Sequence, residues 1–174
     1  IEKPVAISVK AAVYKLNEKG EAAAQPVAEF SSPAATLPAT GVHNFRLDIP
    51  VNNPILWNLD DPELYRVAVT VLQGTAISDV YETNFGFRTL NFTARDGFFL
   101  NGKKVPVQGV CNHHDLGALG AAFNIRAAER QLEILKEMGC NAIRTSHNPP
   151  APELLDLCDR MGFLVEDEAF DTWK

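Results

Sequence analysis

The sequence predicts an antiparallel β-sandwich followed by an α/β segment of order β-α-β-α-β, on three observations. In the first half, apolar residues recur at every second position between turns rich in Pro, Asn, Asp and Gly, which is the period of half-buried strands. After Gly97 short apolar runs alternate with two stretches of helical spacing, the order of a parallel sheet with crossover helices. Both helical stretches have clear start and stop residues. Composition permits a packed core, since 46% of the 174 residues are hydrophobic and 22% are charged.

In the first half Val5, Ile7, Val9 and Val13 alternate with Ser8 and Lys10, and Asn17 to Gly20 turns the chain. Alternation returns at His43, Phe45, Leu47 and Ile49, again at Tyr65, Val67, Val69 and Val71, and more weakly from Tyr81 to Phe87. Short strands at this spacing are those of a sandwich. No residue of this half proposes chemistry. The junction falls between Gly86 and Gly97, which assigns residues 1–90 to the sandwich and 91–174 to the α/β segment.

In the second half the first strand is read from Val105 to Val110. The first helix has Asn124 as N-cap, carries Ala128, Leu132 and Leu135 on one stripe, and ends at Gly139, where a left-handed residue is expected. A second strand spans Ala142 to Thr145. The second helix follows Pro149, Pro150 and Pro152, turns Leu154, Leu155, Cys158 and Met161 inward, and stops at Gly162. Phe163 to Val165 is the third strand.

The formal charge of -6 comes from scattered Asp and Glu with no Lys/Arg cluster, which excludes nucleic acid as a partner. No run approaches the ~18 apolar residues that span a bilayer, so no membrane partner is expected. The first residues lack the basic and apolar regions of a signal peptide, and the compartment stays open. Cys111, Cys140 and Cys158 are odd in number and fit no zinc-knuckle spacing. They read as small buried residues.

In parallel α/β folds reactive groups collect at the carboxyl ends of strands, where the loops open on one face. Each of the three apolar runs here leads into a polar cluster: Asn112, His113, His114 and Asp115; then Arg144, Thr145, Ser146, His147 and Asn148; then Glu166, Asp167 and Glu168. Solvation alone makes many such loops polar. Adjacent His113 and His114 point to opposite sides of an extended segment and do not chelate one ion together. Arg144, at the end of an apolar strand, needs a carboxylate or a polar ligand within reach. Asp167 or Glu168 is such a partner if either faces the cavity, and a structural residue otherwise.

The run from Asn141 to Val165 resembles the first signature of family 2 glycoside hydrolases. Its positions are Asn141, Arg144, Thr145, Ser146, His147, Asn148, Pro149, the pair Leu154 and Leu155, Asp159, Gly162, and Phe163 to Val165. The likeness extends outward. Leu56 to Tyr65 is similar to the Leu-Trp…Pro-x-Leu-Tyr stretch of the family's immunoglobulin-like domain, and Phe85-Gly86-Phe87-Arg88 resembles the end of that domain. Phe99 to Lys103 resembles the approach to the first barrel strand, Gly109 to Asp115 the segment after it, and Asp167-Glu168-Ala169 the segment after strand three. The resemblance runs from about Leu47 to Trp173.

It implies an immunoglobulin-like β-sandwich followed by the first part of a TIM (β/α)8 barrel. It also implies a retaining hydrolase of β-linked sugars, a β-galactosidase before a β-glucuronidase or β-mannosidase. A carbohydrate-binding or scaffolding module is the alternative from another class. Carbohydrate is then the partner, with His113, Arg144, His147, Asn148, Asp167 and Glu168 as substrate-binding residues. His147 would lie near the ring hydroxyls and Arg144 would orient the catalytic carboxylates. Asn112, His114 and Asp115 depart from the family's Arg and Glu, and Asn148 replaces its common Tyr.

No cofactor and no metal ligand is expected in this chain, and a divalent or monovalent cation in the longer enzyme is left open. The family's acid/base follows an Asn at strand four and its nucleophilic Glu comes from strand seven, so both are expected beyond Lys174. Asn17-Glu18 lies in a sandwich turn and is a false match. Glu166, Asp167 and Glu168 alternate in direction and cannot supply the two carboxyls ~5–5.5 Å apart that retention needs. The chain alone is therefore expected to be inactive. With a strand edge uncovered, homo-oligomerisation or self-association is expected.

Overall fold

A computed structural model of the chain describes residues 3–170. It divides into two compact units, one of Ile1–Ile55 with Leu64–Phe85 and one of Leu56–Glu63 with Gly86–Lys174.

The first unit is built on β1 (Val5–Lys15). This strand pairs antiparallel with β2 (Ala28–Ser31), β3 (Ala35–Leu37) and β4 (Tyr65–Gln73), and β4 pairs with β5 (Ala76–Phe85), giving the order β2-β1-β4-β5. Val9, Ala11 and Val13, two residues apart on β1, are buried, as is Tyr65. The turn after β1 is fixed by Asn17, whose Oδ1 accepts from the backbone of Lys19 at 2.9 Å and of Glu21 at 3.0 Å, with Gly20 at φ 76°. The β4–β5 hairpin turns through two residues, Gly74 and Thr75, with Gly74 at φ 62° supplying the positive φ that such turns require.

The stretch His43 to Ile49 differs from expectation. Phe45, Leu47 and Ile49 are half-buried and Asn44, Arg46 and Asp48 exposed, as the alternation predicts, yet no strand ladder forms there among the described residues. Side-chain period records which face is covered. It does not say whether the backbone finds a neighbouring strand.

The second unit begins with an antiparallel meander of β6 (Leu90–Thr93), β7 (Gly97–Leu100) and β8 (Lys103–Lys104). An alternation of strands and helices follows in sequence: β9 (Gly109–His113), α1 (Ile125–Glu137), β10 (Ala142–Ser146), α2 (Pro152–Met161) and β11 (Leu164–Asp167). Both β9 and β11 pair parallel with β10, in the order β11-β10-β9. Ala128 and Leu132 of α1, Leu154, Leu157 and Cys158 of α2, Ile143 of β10 and Phe163 form the core. Leu157, rather than Leu155, faces it fully, because a helical stripe advances by 3.6 residues and Leu154, Leu157 and Cys158 fall together.

The helix limits follow their caps. Asn124 accepts from the backbone of Ala127 at 3.0 Å, and Gly139 at φ 87° lies just past the end of α1. Gly162 caps α2 in the left-handed region at φ 72°, its N–H bonded to the Cys158 carbonyl. The first parallel strand starts at Gly109 rather than Val105. Pro106 offers no N–H, and the Asn141 side chain instead ties the approach down, donating to the Pro106 carbonyl at 2.9 Å and accepting from the Gln108 backbone at 2.8 Å.

A short strap, Leu56–Glu63, belongs to this second unit. Trp57 is 1% exposed, and its indole N–H donates to the Asp159 carbonyl at 2.7 Å. Lys136 of α1 donates to the carbonyls of Leu59 at 2.7 Å, Met161 at 3.0 Å and Gly162 at 3.2 Å. One ammonium thus holds the strap and the C-terminal end of α2 together. No helix among the described residues is long and apolar enough to cross a membrane.

Candidate functional site

Parallel pairing in register brings the carboxyl ends of three strands side by side. Arg144 stands opposite Cys111 on β9 and Glu166 on β11, and Ser146 stands opposite His113. Ile143, the neighbour of Arg144 on β10, packs into the helix-covered core, so strand alternation turns Arg144 to the other face of the sheet. That face is the one a closed barrel turns inward.

There Arg144, His147 and Glu168 meet. The Arg144 guanidinium donates through Nη2 to Glu168 Oε1, and His147 Nδ1 lies 2.8 Å from Glu168 Oε2. Burial pushes the Glu168 carboxyl up, but the bonds from His147 and Arg144, with their charges, outweigh it and hold the group below the ordinary carboxylate range. Glu168 is therefore the carboxylate in reach of Arg144, and it is ionised at neutral pH. An ionised carboxylate can only accept, so His147 carries its proton on Nδ1 and, when neutral, leaves Nε2 as an acceptor. The peptide joining Ser146 to His147 is cis.

Thr145 fixes the position of Glu168. Its buried hydroxyl accepts from the Glu168 backbone N–H at 3.1 Å and donates to Asp167 Oδ1 at 3.2 Å. Asp167 is thereby bound to Thr145 and stays apart from the Arg144–His147–Glu168 group, one strand step out of phase with it. His113 stands edge-on to His147, with ring centroids 5.4 Å apart. Asn148 is exposed and joins none of these bonds among the described residues. Beside the same loop lies a hollow of about 340 Å³ lined by Asn112, His114, Asp115, Phe123 and Leu154.

The sequence reading placed Thr145 in the polar cluster without assigning it a bond, and read Cys111 as a small buried residue, whereas Cys111 is exposed because it shares the sheet face of Arg144. Cys111 accepts from Arg144 Nη1 at 3.6 Å, a contact that only the strand register creates. Among the described residues no three His, Cys, Asp or Glu side chains gather where they could hold a metal ion. The group is an array of fixed donors and acceptors at the carboxyl ends of a parallel sheet.

Comparison with known proteins shows the family. A family model described as glycosyl hydrolases family 2 matches residues 2–88, and the TIM barrel domain of the same family matches residues 93–172. The chain belongs to glycosyl hydrolase family 2. Its fold class is accordingly the family's sandwich domain followed by the start of its barrel. Among curated relatives, the β-galactosidase BoGH2A of Bacteroides ovatus is 58% identical over 130 residues, covering 75% of this chain and 15% of that protein. A β-glucuronidase of Bacteroides fragilis is 35% identical over 121 residues, covering 69% of this chain and 17% of that protein. Among solved structures, a family 2 member from Bacteroides cellulosilyticus matches with a TM-score of 0.89 at 38% identity, over 99% of this chain and 21% of that one. The chain thus spans about a fifth or less of the length of these relatives.

Proposed function

We propose that this chain is the sugar-contacting wall of a retaining glycoside hydrolase that acts on β-linked sugars, and that the sugar is a β-galactoside. The convergence of Arg144, His147 and Glu168 from the ends of two adjacent strands carries the reading. Retention needs a protonated acid for the leaving oxygen and a second carboxylate as nucleophile. Glu168, held ionised by two cationic or hydrogen-bonding partners, is neither a free acid nor a free nucleophile. It orients Arg144 and His147 toward the ring hydroxyls, together with His113 and Asn148. Asp167 acts on that site through Thr145. Both reacting glutamates are then assigned to other strands of the barrel.

The galactoside reading draws on the 58% identity to a β-galactosidase, against 42% to a putative β-glucuronidase of Formosa agariphila. A uronic acid would also bring a carboxylate needing a cation, and Arg144 is already engaged by Glu168. Nitrophenyl β-galactoside, β-glucuronide and β-mannoside assayed on the intact enzyme that carries this chain test the reading. The galactoside should exceed the others in kcat/KM by about 100-fold or more, the level that dedicated polar contacts support. A preference for the glucuronide or mannoside would overturn it.

A further inference from the structure

We propose that Cys111 is a reactive thiol that takes soft electrophiles, and that its modification uncouples Arg144 from Glu168. Three observations meet at this sulfur. It sits on β9 in register with Arg144, is exposed, and lies 3.6 Å from Arg144 Nη1, while Nη2 of the same guanidinium bonds Glu168. Behind it Ser146, 3% exposed, has an Oγ with no conventional hydrogen-bond partner. A buried hydroxyl left unsatisfied is unfavourable, and a thiolate at Cys111 is an acceptor for it.

The groups facing the sulfur are Arg144 and Ser146 from β10, Glu168 from beyond β11, Glu166 in register on β11, and His113 two residues along β9. The Arg144 guanidinium and then the nearby Ser146 hydroxyl outweigh the opposing effects of burial and of the Glu168 charge, so the thiol titrates below its ordinary value. Thiolate rather than thiol is the nucleophile, and exposure lets a reagent reach it. In the reaction the sulfur attacks a carbon or sulfur electrophile, forming one S–C or S–S bond as the leaving group departs with its electron pair as halide or thiolate. The product no longer accepts strongly from Arg144, and its added bulk occupies the space beside the guanidinium.

The other two cysteines serve as internal references. Cys140 is half-buried, and burial pushes the Cys158 thiol up to about 12, which keeps it inert. The purified 174-residue chain is treated with limiting iodoacetamide, and each cysteine's labelling rate is followed by peptide mass spectrometry across pH, in buffer and in urea. Cys111 should label first, at neutral pH about threefold or more faster than in urea, a gain moderated by the lower nucleophilicity of a more acidic thiol. Arg144→Gln should remove most of that advantage, and Arg144→Lys should restore part of it. A folded-state rate equal to or below the rate in urea would overturn the proposal, whether or not the Arg144 variants fold. The alkylated chain should also lose the part of its acid unfolding profile that Glu168→Gln removes. An unchanged profile would overturn the uncoupling. Both readouts are independent of whether the parent enzyme cleaves galactosides.

Discussion

Glu168 receives a guanidinium on one oxygen and an imidazole on the other, and this double engagement fixes what it can do with pH. Its folded-state pKa lies below the unfolded value, so its contribution to stability is fully present above about pH 4.3 and is lost as pH falls through the lower folded value. Acid unfolding followed by circular dichroism should therefore be shallower below pH ~4 for Glu168→Gln than for the parent chain. Identical acid limbs would show that the carboxylate is not held by its partners. His147 has the opposite emphasis, since a cavity-facing group contributes more to transition-state binding than to packing. In the intact enzyme His147→Ala should lower kcat/KM by roughly 10- to 100-fold, about 1.4–2.8 kcal/mol, while shifting the melting temperature little. Retained turnover with a large fall in melting temperature would make it a core histidine. Arg144, His147 and Glu168 were legible in the sequence because each follows an apolar run that ends on a common face. Thr145 and Cys111 were not, because their contacts depend on strand register across 22 and 33 residues.

Among the elements, the two helices were the most legible, since an N-cap Asn124, a proline start and left-handed glycines at 139 and 162 act within a few residues of the ends they set. Strands were less so. The first parallel strand lies four residues later than the apolar run predicts, and His43 to Ile49 alternates without pairing, because pairing is decided by a distant partner. Gly162 shows how element and tertiary demands meet. Its φ of 72° disfavours any side chain, and a Cβ there would strike the Leu59 carbonyl of the strap. Gly162→Ala should therefore cost more than the ~1 kcal/mol of a left-handed alanine alone. Trp57→Ala, which empties a fully buried site, should cost about 3–5 kcal/mol. Thermal and urea unfolding of the two variants measure both. If neither variant is destabilised, the strap does not pack as described.

At the scale of the whole molecule, a sandwich followed by a parallel segment was readable from the change of side-chain period near Gly97. The assignment of Leu56–Glu63 to the second unit was not, since the Trp57–Asp159 bond joins residues 102 positions apart. What the barrel segment contains also sets what it can do. Its described carboxylates near the strand ends are Asp115, Glu166, Asp167 and Glu168, while Asp171 lies outside the described residues. Asp167 is bound to Thr145, Glu168 to Arg144 and His147, and three adjacent strands cannot flank a glycosidic bond from both sides. The chain should thus bring the binding wall without the reacting pair. The most direct test is to assay the purified 174-residue chain on nitrophenyl β-galactoside beside its Glu168→Gln variant. The account predicts no turnover above buffer from either protein, and turnover that survives purification and disappears in the variant would contradict it.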